Sequence, residues 1–285
     1  MLSRVDLHIH TTASDGSSTP SEVVSRAKEA GLSAIAITDH DTVSGYAEAA
    51  EAGKENGIEV IPGIELSTRF DGPFHVLGYF IDCENEELNR VLSQIVEDRD
   101  IRNEQIISKM RSDGISITYE QMKDRFGNVI GRPHIAEILV ENGICKDVSD
   151  AFEHFVGKGM RYWFPRTTIP PERCIELILH AGGIPVIAHP FEYKYRQKSL
   201  PELIEFSIDH GAAGIECRHS SHSPGQMAYL ELLAGEYGLL KTGGSDYHGD
   251  IKPDIKIGTG TGFVSVPCSW LDRLKEYHAE RTCID

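Results

Sequence analysis

The sequence predicts an α/β protein built on a barrel of about six or seven β/α units, with a helical subdomain inserted into it. Two observations predict this fold. Strand-like apolar segments alternate with helix-like segments over residues 1–84, and the alternation resumes over 156–285. Residues 85–155, between these parts, have a helical and strongly charged pattern. Such alternation is typical of a parallel sheet with helical crossovers, and this number of units favours a closed barrel over an open sheet.

The first third of the chain has the pattern of a βαβαβ segment. Thr19 supplies an N-cap, Pro20 a proline at the first helical position, and Glu22 the second partner of a capping box. We therefore expect a helix that begins at Pro20 and ends near Gly31, where a glycine can close it. The strands are predicted over 5–8, 34–38 and 60–65, with helices over 20–30 and 43–56 between them.

The charged middle segment is predicted to be helical. A long helix is predicted over 86–111, and further helices are expected to begin at Thr118 and Ser149. The α/β alternation then resumes and supplies the remaining units of the barrel. Strands are predicted over 184–188, 214–217 and 239–242, and helices over 172–181, from 199 onward and over 226–237.

Composition is that of a globular protein and argues against a membrane span. The chain has 285 residues, 40% of them hydrophobic, but no apolar run of about 18 residues, the length expected of a membrane helix. The N-terminal residues lack the pattern of a secretory signal. Six cysteines are scattered without a C-x-x-C pair, which is typical of reduced thiols rather than a disulfide framework. We therefore expect a cytoplasmic protein, either a monomer or a small homo-oligomer.

The charge balance limits the class of partner. The net charge is −16, from 44 acidic and 28 basic residues. This balance opposes avid binding to long nucleic acid, because neutralisation of phosphates supplies much of that affinity. A DNA scaffold is therefore not expected as a partner. A small phosphorylated substrate or a short RNA is compatible, since bound metal cations would reverse the local sign of charge at a site.

Histidines and carboxylates recur where the predicted strands end. In a β/α barrel the C-terminal ends of the strands converge on one face, which carries the chemistry of such folds. Side chains at i and i+2 of an extended segment point the same way, so His8 and His10 can chelate or bridge ions, as can Asp246 and His248. The strand ends supply His8, His10, Asp39, His40, Asp41, Glu65, His189, Asp246 and His248.

This donor set indicates a metal site. Imidazole and carboxylate ligands together suit Zn, Mn or Fe, and no cysteine occurs at these positions. Any one of the histidines could instead be a hydrogen-bonded structural residue, and Asp39 could cap the helix that follows it. Burying so many of these groups at one barrel mouth without a metal would be costly, which favours the metal interpretation for the set as a whole.

The same residues resemble the motifs of the PHP (polymerase and histidinol phosphatase) family. The resemblance implies a distorted (β/α)7 TIM-like barrel that holds two or three divalent metal ions, Mn, Fe or Zn, with Glu65 bridging two of them. The matching segments run in order over nearly the whole chain: 6–10, 15–16, 38–41, 62–65, His75, 189–190 and 246–248. The metal ligands implied by the resemblance are His8, His10, Asp15, His40, Glu65, His75, His189, Asp246 and His248.

Two further segments are similar to the stand-alone branch of this family. They are 131–136, with the letters GRPHIA, and 157–159, with the letters GKG. That branch includes 3′,5′-nucleoside bisphosphate phosphatases and 5′→3′ exoribonucleases that act on short RNA. Residues 160–163 depart from the family pattern, which more often has small residues and a proline before the tyrosine. The resemblance implies a phosphoesterase whose substrate is a small nucleotide or the 5′ end of a short RNA.

The mechanistic hypothesis is hydrolysis of a phosphomonoester through in-line attack by a metal-bridging hydroxide. The sequence contains neither a P-loop motif nor a G-x-S-x-G elbow. Asp246 is expected to bind metal and orient the hydroxide, and His222 either to protonate the leaving group or to act indirectly. Arg132 is expected to bind phosphate oxygens in a bidentate way. The predicted catalytic residues are Asp246, His222, Arg132 and His134, and the predicted phosphate-binding residues are Arg132, His134, Lys158, Arg218, His219 and His222.

Three alternatives stay open. An amidohydrolase also uses a metal-bearing barrel with an H-x-H strand, but it typically needs a carboxylated lysine where this chain has Glu65. A histidinol phosphate phosphatase belongs to the same family, and the segment with Arg132 and His134 points away from it. A non-catalytic, metal-stabilised binding module would be expected to lack ligands, whereas all nine positions are filled.

Overall fold

The computed structural model describes residues 3–70, 72–126, 130–165, 168–193 and 198–282. The chain divides into two compact units. The first is formed by Met1–Arg90 with Thr168–Asp285, and the second by Val91–Thr167. The predicted insertion, 85–155, shares residues 91–155 with the second unit.

The first unit is built around a mixed sheet. Its described strands are β1 (Arg4–Asp6), β2 (Leu32–Ile37), β3 (Glu59–Arg69), β4 (Pro73–Tyr79), β5 (Ile184–Ile187), β6 (Gly214–His219), β7 (Leu240–Gly244) and β8 (Val266–Pro267). They are hydrogen-bonded in the order β7-β6-β5-β4-β3-β2-β1-β8. Beyond the end of β1, the Leu7 N–H donates to the Gly243 carbonyl (3.1 Å) and the Asp246 N–H donates to the His8 carbonyl (2.9 Å). These bonds join the two sides of the sheet, so the predicted barrel is confirmed.

Two strands depart from the parallel pattern that the sequence predicts. β8, at one end of the strand order, pairs antiparallel with β1. β4 pairs antiparallel with both β3 and β5. Only residues 70–72 separate β3 from β4, and a parallel connection needs a crossover of about a dozen residues, so the two strands form a hairpin. Because β4 runs in the opposite direction, its beginning lies at the face where the parallel strands end. His75 pairs in register with Ser67 there, two residues beyond Glu65.

The helices of the described residues connect and cover the strands of the first unit and form most of the second. They are α1 (Pro20–Glu29), α2 (Tyr46–Asn56), α3 (Glu86–Ser112), α4 (Tyr119–Phe126), α5 (Arg132–Glu141), α6 (Val148–Ala151), α7 (Pro171–His180), α8 (Leu200–Asp209), α9 (Pro224–Glu236) and α10 (Cys268–Thr282). The predicted capping box of α1 is present, because Thr19 accepts from the Glu22 N–H and Glu22 accepts from the Thr19 N–H. No helix in the described ranges has both the length and the apolar composition needed to cross a membrane.

The second unit has its own hydrophobic core. Ile106 and Met110 of α3 are fully buried there with Met122 of α4 and Ile135 of α5. Asn103 links the same helices, since its amide donates to the Ile130 carbonyl (2.8 Å) and to the Tyr119 hydroxyl (3.2 Å). α6 begins one residue before the predicted Ser149, because Asp147 accepts from the Asp150 N–H and acts as the N-cap.

Candidate metal centre

The residues that follow β1 form the centre of a buried polar cluster. His8 and His10 are fully buried, and their Nε2 atoms lie 3.1 Å apart. Glu65, which lies within β3, brings Oε2 within 3.3 Å of His8 Nε2 and 3.2 Å of His10 Nε2. Asp246, just after β7, brings Oδ1 within 3.2 Å of His10 Nε2. Four ligand atoms, contributed by β3 and by the segments that follow β1 and β7, therefore face one another.

Glu65 connects this first group to a second. Its Oε1 lies 2.8 Å from His75 Nδ1 and 2.8 Å from His189 Nε2. The two oxygens of Glu65 thus face different sets of histidines, which is the arrangement expected of a carboxylate that bridges two ions.

A third group lies on the other side of His10. Asp15 Oδ1 is 3.4 Å from His248 Nε2 and 3.7 Å from His10 Nδ1, and Asp15 Oδ2 is 4.0 Å from His40 Nε2. His40 Nδ1 also lies 3.0 Å from Glu65 Oε2. The structure therefore brings all nine predicted ligands together, in overlapping groups whose ligand atoms lie within 4.8 Å of one another.

The chemistry of these groups fits divalent metal ions. Four of their buried atoms, His10 Nδ1, His40 Nδ1, Glu65 Oε2 and His189 Nδ1, make no hydrogen bond. A buried polar atom without a partner is costly, and converging imidazole and carboxylate atoms are the ligands that borderline divalent ions prefer. The donor set thus supports the use of divalent metal.

The charges in the cluster are strongly coupled. Burial by itself would lower the pKa of His10, but its close contacts with the Asp246 and Glu65 carboxylates outweigh that effect and raise the pKa to about 9. Burial lowers the pKa of His40 to about 3. Burial would raise the pKa of Glu65, yet the surrounding histidines hold it well below its usual range. Glu65 is therefore ionised, which is the form that ligates a cation.

Two buried aspartates hold the loops of the centre. Asp6 accepts from the Ser245 N–H (2.8 Å) and the Gly258 N–H (2.7 Å). Asp39 accepts from the Thr11 N–H (2.7 Å) and the Thr11 hydroxyl (2.8 Å). Both aspartates are buried. Asp39 thus supports the loop between β1 and α1 rather than capping the helix that follows it.

Sequence reasoning missed two polar residues at the centre. Lys252 donates from Nζ to Asp246 Oδ2 (2.7 Å), the oxygen opposite the one that faces His10. Glu216, in β6, is fully buried and lies 2.9 Å from His8 Nδ1. A glutamate between the apolar residues Ile215 and Cys217 was a signal that could have found Glu216, whereas no local pattern distinguishes Lys252.

The predicted phosphate-binding residues of β6 divide between the two faces of the sheet. His219 is buried, with Nε2 3.5 Å from Asp246 Oδ2, and its ring lies 5.3 Å from that of buried His222. Arg218 instead donates to Glu231 (2.8 Å) and to the Ser265 carbonyl, and it stacks over Trp270.

The reason for this division is an irregularity in β6. The register against β7 shifts between Glu216 and Arg218. A bulge of this kind re-aims the side chains that follow it. Glu216 and His219 therefore both face the centre, and Arg218 is directed away from it, in contrast to its predicted role.

Three other predicted substrate-binding residues belong to the second unit. The Arg132 guanidinium lies 5.7 Å from the centroid of the Phe152 ring. His134 is buried, stacks on Phe126 and accepts from the Gly131 N–H (3.1 Å) through Nδ1. Lys158 is exposed. Their part in substrate binding stays a prediction.

The fold and the cluster define a class of protein. A barrel whose strand ends deliver overlapping histidine and carboxylate groups has the architecture of a metalloenzyme. The chain belongs to the PHP family, since the PHP domain model matches residues 6–157, more than half of its length. The predicted family resemblance is confirmed.

Similar proteins agree on the class of reaction. The chain is 34% identical over 257 residues to "5'-3' exoribonuclease Rnm" of Salmonella typhimurium, covering 89% of this chain and 87% of the relative. It is 33% identical over 250 residues to "3',5'-nucleoside bisphosphate phosphatase" of Chromobacterium violaceum, covering 87% and 88%. The crystal structure of a candidate metal-dependent phosphoesterase from Bifidobacterium adolescentis superimposes with a TM-score of 0.84 at 31% identity, covering 95% of each chain. These likenesses support a metal-dependent phosphoesterase, and the prediction of an enzyme is confirmed.

Proposed function

We propose that this protein hydrolyses a phosphate ester of a small nucleotide, either a 3′,5′-nucleoside bisphosphate or the 5′ end of a short RNA. The observation that carries the proposal is that the two carboxylate oxygens of Glu65 face different histidines. Oε2 faces His8 and His10, and Oε1 faces His75 and His189. A carboxylate shared between two ions suits hydrolysis of a phosphate ester, where charge must be neutralised on several oxygens at once. The names of the two curated relatives supply the class of substrate.

The proposal includes two or three ions of Mn, Fe or Zn. One would be held by His8, His10, Glu65 and Asp246, and a second by Glu65 with His75 and His189. Asp15, His40 and His248 would hold a third. Ions in these positions would lower the pKa of a bound water and neutralise phosphate oxygens.

The side chains around Asp246 orient it. Burial would raise the pKa of Asp246, but His248 and Lys252 hold it well below its usual range, so it is ionised. Lys252 Nζ and His219 Nε2 lie 2.7 and 3.5 Å from Asp246 Oδ2. The other oxygen, Oδ1, faces His10. The role proposed for Asp246 is to bind metal and to accept a hydrogen bond from the attacking water.

His222 is better suited to orienting the substrate than to protonating the leaving group. Burial lowers the pKa of His222 to about 4, so the ring is neutral near pH 7. An efficient general acid has a pKa near the working pH. The buried Nε2 of His222 makes no hydrogen bond within the described residues and is available to a substrate oxygen. Protonation of the leaving group, one of the two predicted roles, is therefore not favoured for His222.

The test is phosphate release from a panel of substrates after metal removal and reloading with Mn²⁺, Fe²⁺ or Zn²⁺. The panel contains 3′,5′-bisphosphonucleosides, 5′-phosphorylated short RNA, histidinol phosphate and sugar phosphates. We expect turnover of the nucleotide substrates only after reloading. Fast phosphate release from histidinol phosphate alone would overturn the proposal and favour a histidinol phosphate phosphatase. Metal analysis of the reloaded protein gives the number of ions.

Two variants test the centre itself. His10→Ala and Asp246→Ala are expected to abolish turnover, because each removes a buried group that faces the other ligands. The matched control is His154→Ala, since His154 is an exposed histidine in the second unit. Near-normal turnover in either centre variant, measured with metal bound, would contradict the proposed site.

A further inference from the structure

Glu216 is a buried charge between two apolar neighbours in β6. Its neighbours in β6, Ile215 and Cys217, are fully buried, and so is Glu216 itself. A carboxylate is costly to remove from water unless several hydrogen bonds replace its hydration. The contacts of Glu216 therefore indicate what the residue does.

Both oxygens of Glu216 contact predicted ligands of the metal centre. Oε1 lies 2.9 Å from His8 Nδ1, and Oε2 accepts from the backbone N–H of His189 (2.7 Å). His8 follows β1 and His189 follows β5, and these strands are not neighbours in the sheet. One side chain thus links two ligands that the sheet does not hold against each other.

The contact with His8 selects one ring nitrogen for metal. An ionised carboxylate can only accept a hydrogen bond, so Nδ1 of His8 must carry a proton. Nε2 then presents the lone pair, and Nε2 is the atom that faces Glu65 Oε2 (3.3 Å) and Asp246 Oδ1 (3.6 Å). A histidine that donates its second N–H to a carboxylate is fixed in orientation and becomes a more basic ligand.

We infer that Glu216 is a positioning residue of the metal centre, which fixes the tautomer of His8 and the placement of His189. Glu216 contacts the ring of a predicted ligand, whereas the described hydrogen bonds of Asp6 and Asp39 come from hydroxyls and backbone N–H groups, that of His8 among them. The inference does not depend on the identity of the substrate.

The experiment uses Zn²⁺, a diamagnetic ion that allows NMR of the loaded protein. In wild type we expect the His8 ring to show a proton on Nδ1 and none on Nε2. In Glu216→Gln the amide can accept from only one of its two partners through oxygen, so the affinity for Zn²⁺ is expected to fall about 10- to 100-fold. Competition with a chelator measures that affinity, and the His8 ring nitrogen signals are expected to shift.

Glu231→Gln is the matched control. Glu231 lies in α9 and pairs with Arg218, which belongs to the same strand as Glu216 but is directed to the outer face of the sheet. This variant should bind Zn²⁺ as wild type does. Wild-type affinity and unchanged His8 signals in Glu216→Gln would overturn the inference. If that variant does not fold, the wild-type spectrum decides, because a zinc-bound Nδ1 or a protonated Nε2 on His8 contradicts the proposed role. If the wild-type protein did not hydrolyse nucleotides, the proposed function would be wrong, but this test of Glu216 would still be valid.

Discussion

Buried histidines in this protein differ in pKa according to the groups that face them. His10 contacts two carboxylates, Asp246 and Glu65, and its pKa is raised to about 9. His222 is also buried, but the rings of His219 and Phe191 pack around it, and its pKa is lowered to about 4. Burial disfavours the charged ring in both cases, and a neighbouring carboxylate reverses that effect only for His10.

The lowered pKa of His222 predicts an acid sensitivity of folding. The unfolded chain binds a proton near pH 6.5, whereas folded His222 binds it only near pH 4. As the pH falls through this window the unfolded state is protonated first, so this residue lowers the free energy of unfolding, by up to about 3 kcal/mol at acid pH. Urea unfolding of wild type and His222→Gln across the window measures the difference. His210→Gln is the control, because His210 is exposed. If the free energy of unfolding depended on pH identically in wild type and His222→Gln, the lowered pKa of His222 would be contradicted.

At the scale of elements, local patterns predicted most of the barrel. Thr19 and Glu22 set the start of α1 through a capping box that the structure contains. Histidines and acids at strand ends were predictable because parallel strands of a barrel end at one face. β4 was not predicted from the sequence. A short turn joins β4 to β3, so no helix pattern between them marks the start of a new strand. The outward aim of Arg218 was missed because a bulge in β6 depends on pairing with β7, a non-local contact.

The closure between β1 and β7 depends on Gly244. A Cβ on this residue would lie 2.3 Å from the backbone nitrogen of His8 and 2.4 Å from its Cβ, so Gly244→Ala must push β1 and β7 apart. We expect the free energy of unfolding to fall by about 1–3 kcal/mol, as in other overpacked cores. Zinc affinity should fall as well, because His8 moves.

Gly235→Ala is the matched control for this prediction. Gly235 lies in α9, where an added Cβ meets no atom within 4 Å, so alanine should stabilise the helix by about 0.5–1 kcal/mol. Thermal unfolding and chelator competition measure both variants. Unchanged stability and zinc affinity in Gly244→Ala would show that the strands accommodate a methyl group at the closure.

At the scale of the whole molecule, net charge opposes the proposed substrates. The chain carries a net charge of −16, and phosphorylated nucleotides are also anionic. Long-range repulsion slows encounter, while cations close to the centre act only at short range. Lys252, paired with Asp246, is such a local cation, and bound divalent ions would be others. This combination favours small substrates, because each added phosphate of a longer RNA meets the repulsive field without reaching the centre.

This balance predicts how kcat/KM responds to salt. Added monovalent salt screens charges separated by more than about 10 Å at 0.1 M, which weakens the long-range repulsion more than the contacts inside the centre. We expect kcat/KM to rise with ionic strength for a 3′,5′-bisphosphonucleoside, and to rise more steeply for a 5′-phosphorylated short RNA that carries more charge. Initial rates at constant metal occupancy measure the slope, and a non-ionic osmolyte controls for effects unrelated to charge. A fall in kcat/KM with salt, of the kind seen when a cationic surface binds nucleic acid, would mean that local cations dominate the encounter.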